Sequence, residues 1–442
     1  MLRRLRLAES PLPLALLRIV VPLVILASPE LHVAPALAAS PERLGFVPEG
    51  LGLVAQIPLG PGAARILQIV TFSACATAIL GWASRTSMLV LTLSAGLLFS
   101  LTQRQGAVLH DMHLFWMTAL LAVSPCGDAW SLDAWGKPRP ASSARFGVPL
   151  ALSRLLLGFV YLFPGLHKLK TSGLAWASAE NVIGHMRAKW LEHGKVPFVR
   201  IDHAPLLCAI GAAFVLCFEL SFVVLAAISP RTRWVALAAG LLFHASTQLL
   251  FFIPFLSLWA CYVVLLDSAV LERGEAWLRA RVHAPPVVKA AEEARAQASH
   301  VVLAFGAVLS LAVVVQGARG ATQAWPFACY PTFSHLQGAT IPDVAVELGT
   351  ADGASTRLTG RETRLRSQDE WGRVFRLSGA YGDAPDERAL RDHARVMALG
   401  GGIAPSAVVR ARVYRVDVAT DPAKWRDTPS AGVLLTEISG PL

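Results

Sequence analysis

Charge is scarce in this chain: Asp, Glu, Lys and Arg make up only 16% of its 442 residues, against 54% hydrophobic residues. That balance excludes a solvated or disordered protein and lies well off the composition of soluble domains, so a polytopic membrane protein is expected. Cysteine is sparse as well. The six residues Cys75, Cys126, Cys208, Cys217, Cys261 and Cys329 form no C-x-x-C pair and no metal-ligand spacing with histidine. That pattern argues against a thiol redox relay, and no metal is predicted. Most of these cysteines fall in apolar runs, where the side chain behaves as a small hydrophobe. No period of about 20 to 50 residues recurs, which argues against a solenoid or a visible inverted repeat.

What is present is a series of apolar runs of bilayer length. Nine candidates are read near 12–27, 66–82, 88–101, 110–123, 148–169, 206–228, 234–249, 251–266 and 301–316. Lys and Arg concentrate in alternate loops. They place the N-terminus with Arg3, Arg4 and Arg6 in the cytoplasm, and the C-terminal end outside, with the loop carrying Arg187, Lys189, Lys195 and Arg200 as the exception. The net charge of +10 belongs wholly to the membrane part, because the tail from Pro331 holds 14 basic and 14 acidic residues. Basic loops beside apolar spans contact anionic lipid, so membrane lipids are the expected partner and nucleic acid is not. Arg3, Arg4 and Arg6 followed by an apolar stretch and Ala36-Leu37-Ala38 resemble a signal peptide. Arg18 interrupts the stretch and the small-residue site lies far beyond it, so a retained helix is the preferred reading.

The fold class expected is an α-helical polytopic membrane protein, with about eight to nine transmembrane helices over residues 1–320 and a small C-terminal α+β extramembrane domain over 321–442. In that tail Asp343 to Gly349 alternates like a strand, and Val409 to Val418 alternates with a phase change at Val413 and Tyr414, which fits a bulge. Ser367 and Glu370 form a capping box before Trp371, Val374 and Phe375, and Asp386 to Leu399 reads as a second helix. Residues 280–299 read as an exposed linker or surface helix. A protein or peptide partner is expected at this outer domain.

The candidate chemistry lies within the spans. Arg154, Gly158, Tyr161, Gly165 and Lys168 follow helical spacing and share one face. An ammonium there is costly; Lys168 is either a base with a lowered proton affinity or a lysine extending to the headgroups. His110, Asp111 and His113 precede an apolar run at the same membrane boundary, as an interfacial cap or as one wall of a pocket. His244 and Gln248 lie one turn apart in an apolar segment, binding neighbouring helices or a ligand. Glu219 reads as a counter-ion for Arg18, Arg154, Lys168 or a histidine.

Five segments resemble the HTTM domain, the transmembrane module shared with vitamin K-dependent gamma-carboxylase. They are Leu14 to Ile19, Asp111 to Phe115, Ser124 to Asp133, Tyr161 to Lys168, and Phe243-His244, in the family's order over about the first 270 residues. The resemblance implies that Lys168 is the base that deprotonates a vitamin K hydroquinone-like quinol, with His113 and His244 as further catalytic residues. Tyr161, Gly165, His167, Gln248 and Arg154 are the residues expected at the substrate, Arg154, Tyr161 and Gly165 because they share the Lys168 face, and the resemblance implies a reduced quinone as cofactor. Met112 stands where the family's asparagine precedes the histidine, and the outer domain is much smaller than the carboxylase's. Two readings follow: a quinol-dependent oxygenase, epoxidase or carboxylase-like lyase, and a non-catalytic scaffold or transport component whose buried charges are structural pairs.

Overall fold

The computed structural model describes residues 8–39, 59–104, 111–283, 287–288, 299–321, 324–327, 332–359, 387–425 and 432–442. Their helices are α1 (Leu12–Ala27), α2 (Pro29–Ala39), α3 (Pro61–Leu80), α4 (Ser84–Arg104), α5 (Met112–Val123) and α6 (Ala144–Ser172). The series continues with α7 (Ala179–His193), α8 (Pro205–Ile228), α9 (Pro230–Phe251), α10 (Leu256–Cys261), α11 (Ser268–Arg281), α12 (His300–Arg319) and α13 (Glu387–Gly400). Among the described residues each of the nine apolar runs lies largely on helix, the run at 251–266 being interrupted by the non-helical residues 252–255. Six helices are long and apolar enough to cross a membrane among the described residues, or seven if α1 and the start of α2, bent by 43°, form one span. The apolar helices Met112–Val123 and Leu256–Leu265 are shorter. At 1.5 Å per residue they reach only part of the way across a bilayer core of about 30 Å, so the expected eight to nine spans reduce to six or seven of sufficient length.

The helix ends separate into two levels. At the basal level, named here for Glu9, the buried Glu9 carboxylate lies 3.0 Å from Arg154 Nη2 and 2.9 Å from Arg233 Nη1, and accepts a hydrogen bond from Ser268 Oγ at 2.8 Å. Arg154 Nε also donates to the Val264 carbonyl at 2.7 Å. Arg18 ends α3 rather than facing lipid, because its guanidinium donates to the Ala78 carbonyl at 2.7 Å and to that of Trp130. Nearby, Arg139 and Glu275 are joined by two contacts of 2.5 Å, and Trp130 Nε1 donates to the same carboxylate. Each buried charge therefore has a partner that offsets its desolvation.

At the opposite level the chain leaves α12 and enters a four-stranded antiparallel sheet of order β2-β1-β3-β4. The strands are β1 (Thr340–Thr350), β2 (Ser355–Thr359), β3 (Val408–Ala419) and β4 (Val433–Ser439). Helix α13 packs Leu390, Ala394 and Met397 against Val346, Leu348 and Val413 of the sheet. The phase change read at Val413 and Tyr414 is a register shift between β3 and β4. The second helix read there is α13. The capping-box segment at Ser367 and Glu370 lies outside the described residues, as do His110 and Cys329. Most of the segment read as a linker does too, but its first residues are the end of α11.

Candidate active site

At the level of the sheet, α6 and α8 approach closely because Gly158 and Gly165 stand at their contact. A Cβ at Gly158 would come within 2.6 Å of Val223 Cγ2, and one at Gly165 within 3.0 Å of the Glu219 Cβ. Small residues that admit a neighbouring backbone are the usual means of packing helices in lipid. One turn beyond Gly165, Lys168 Nζ lies 2.6 and 2.8 Å from the two carboxylate oxygens of Glu219. Lys168 is 3% exposed and Glu219 4%. Lys168 does not extend to the headgroups; its carboxylate partner holds it inside, and the Trp176 ring lies 4.9 Å from its Nζ.

This ion pair lines a cavity of about 330 Å³. Its walls are otherwise mostly apolar, from Phe214 and Val215 of α8, Phe243 and Leu250 of α9, and Pro164 of α6, with His113, Tyr161 and His185 adding polar edges. The volume falls in the range of small-molecule sites, and an apolar chamber with a few convergent polar groups is the form such sites take. Behind the Tyr161 wall its hydroxyl lies 2.8 Å from His244 Nε2 and 2.7 Å from the Tyr262 hydroxyl. His244 Nδ1 is buried without a hydrogen-bond partner among the described residues.

The end nearest the sheet is closed by a strap, residues 332–337. Trp176 Nε1 donates to the Phe333 carbonyl at 2.6 Å, and Ser172 Oγ to that of Ser334 at 2.7 Å. Asn181 Oδ1 accepts from the Gln337 backbone at 2.8 Å, and His185 Nε2 lies 3.0 Å from the His335 carbonyl oxygen. Thr332 and Phe333 line the cavity from this strap.

Residues 54–269 match the family model of the HTTM domain. The chain contains an HTTM domain. Comparison with curated proteins and with solved structures returns no match. The match contains every cavity-lining residue named above except those of the strap; α1, α12 and the sheet lie outside it.

Within the HTTM domain the residues singled out in the sequence divide. Lys168, His113 and Tyr161 line the cavity, and His244 stands one contact behind it. Gly165 serves the helix contact beside Glu219. His167 turns the other way, its Nε2 lying 2.7 Å from the Gly317 carbonyl oxygen of α12. Arg154 belongs to the basal cluster with Glu9. Gln248 is exposed, while Ser246 and Thr247 of the same helix line the cavity. His167, Arg154 and Gln248, expected at the substrate, thus do not line the cavity that holds Lys168. Of the possible counter-ions, Glu219 meets Lys168. Sequence reading missed Trp176, His185, Tyr262 and Phe333. For Trp176 an aromatic soon after a span was the available signal, whereas Tyr262 lies inside the run read at 251–266 and only folding carries it, His185 and Phe333 to the site.

His185 gives a pH test. It sits on α7, which is not among the membrane-spanning candidates. Burial drives its imidazole down to about 4, with the charges of His335, Lys168 and Lys189 acting the same way and the hydrogen bond to the His335 backbone opposing them. An unfolded histidine takes up its proton near pH 6.5. Between that pH and about 4 the unfolded chain binds more protons, so stability falls as pH drops through this window. The contribution is on the order of 3 kcal/mol at most. Thermal unfolding from pH 7 to 4 should show His185→Asn losing less stability than the wild type; parallel curves would exclude His185 as the cause.

Proposed function

We propose that this protein is a cell-membrane enzyme resembling vitamin K-dependent gamma-carboxylase. In this reading it acts on a reduced quinone in the HTTM cavity, with the N-terminus cytoplasmic and the sheet outside, where a protein or peptide would meet it. The observation that carries the reading is the Lys168–Glu219 ion pair at the polar end of an apolar cavity. The cavity's chemistry fits such a ligand: aromatic and aliphatic walls suit a ring system, and the ion pair and His113 suit its hydroxyls. A bound quinol would supply an acidic hydroxyl and, with oxygen, reducing equivalents.

The chain's own residues would handle the proton. In the resting pair the Lys168 ammonium donates to both carboxylate oxygens. Transfer of one proton across the 2.6 Å contact leaves a neutral amine beside a carboxylic acid. That amine then accepts the hydroxyl proton of a bound quinol, with the proton on Glu219 available for return. His113 would orient the hydroxyl. Tyr161, held by His244 and Tyr262, would fix the cavity wall, so His244 acts through Tyr161 and is a positioning residue. The apolar walls keep water from the amine.

The mutual satisfaction of Lys168 and Glu219 favours a second reading, a non-catalytic membrane scaffold or transport component in which the pair is structural. Extraction of lipid from detergent-purified protein, followed by mass spectrometry, separates the two. A quinone or other isoprenoid retained by the wild type and lost from Lys168→Ala is expected under the enzyme reading. The same phospholipid in both, with no isoprenoid, supports the structural one.

A further inference from the structure

We infer that the cavity opens sideways into the bilayer between α8 and α9, and that Gly211 is the gate through which an apolar tail passes. The inference rests on the proposed quinol site and adds its entry route and a specificity-determining residue. Leu207 and Gly211 of α8 both line the cavity and are exposed, so the wall reaches the outer surface there. A Cβ at Gly211 would meet nothing within 4 Å, unlike the crowded Gly158 and Gly165 of α6. Gly211 therefore stands beside open space and is not at a helix contact. Across the opening, α9 contributes Ser246, Thr247 and Leu250 to the lining.

The surroundings indicate where the opening leads. Leu206, Leu207 and Ile210 are 74%, 58% and 57% exposed, an apolar strip on a helix of spanning length. Such a strip faces acyl chains. The sheet end of the cavity, by contrast, is covered by Trp176, Thr332 and Phe333. The lining is continuous from Lys168 and Glu219 to Gly211, so a ligand with a polar ring at the ion pair would project its tail between Leu207 and Leu250 into lipid. The occupant is thus a quinol bearing an isoprenoid or alkyl chain, arriving from the membrane.

The test uses Gly211→Ala and Gly211→Leu in the full-length protein, reconstituted in vesicles. Ala213→Leu, exposed on the same helix and absent from the cavity wall, is the control. Two probes are compared: a naphthohydroquinone with a polyisoprenyl tail and its tailless methyl analogue. The structure predicts that Gly211→Leu weakens the tailed probe roughly tenfold, consistent with loss of apolar burial at the gate. Gly211→Ala should have a smaller effect, and the tailless probe should bind as in wild type. Unchanged binding of both probes overturns the gate and leaves the quinol site standing. Equal loss of both overturns the gate's selectivity. Failure of the wild type to bind either probe removes the quinol reading and the gate with it.

Discussion

Lys168→Met should lower the stability of the detergent-purified protein by roughly 3–5 kcal/mol, because it leaves the Glu219 carboxylate inside the fold without its cation. Glu219→Leu should cost a similar amount by stranding the ammonium. The double variant carrying both changes should recover most of the loss, since an apolar pair of similar volume avoids both desolvation penalties. Thermal unfolding of the four proteins measures the cycle directly, and additive losses would contradict a coupled pair. The double variant also separates stability from chemistry. If Lys168 handles a proton, the refolded double variant stays inactive toward a quinol although its melting is restored.

The second large effect is expected from Glu9→Ala at the other end of the molecule. Glu9 receives Arg154, Arg233 and Ser268 on one carboxylate. Its removal strands two buried guanidinium groups, so the loss should be at least about 3–5 kcal/mol. Glu9→Gln keeps an acceptor but not the charge and should fall between. The cavity lies at the opposite level, so a quinol bound there should keep its affinity in whatever fraction of Glu9→Gln remains folded. Unfolding midpoints and probe binding on the same preparation check both statements; a melting curve like the wild type's would remove Glu9 as the link.

The membrane helices were legible because apolar length is a strong local signal, and so was the β3 irregularity, where the alternation breaks at the residue that shifts register. The face shared by Arg154, Tyr161 and Lys168 was also legible, since all three are buried. Their common face did not make a common site. Fourteen residues separate Arg154 from Lys168, about 21 Å along a helix at its ordinary rise, and each end found a different acid. His167 shows the complementary error: adjacent to Lys168 in sequence, it is rotated by about 100° and meets α12. The choice of Glu219 as the partner of Lys168 depended on how closely α6 and α8 pack, and periodicity within either helix carries no such information.

Glu9 also constrains the order in which the protein can be made. Its partners lie 145, 224 and 259 residues later in the chain. Synthesis proceeds from the N-terminus, so the ribosome delivers this carboxylate long before Arg233 or Ser268 exists to receive it. During that interval the first helix cannot settle at its final depth with its charge satisfied by these groups. The basal cluster therefore acts as a late latch, closing only after α9 has been inserted and α11 has begun to emerge.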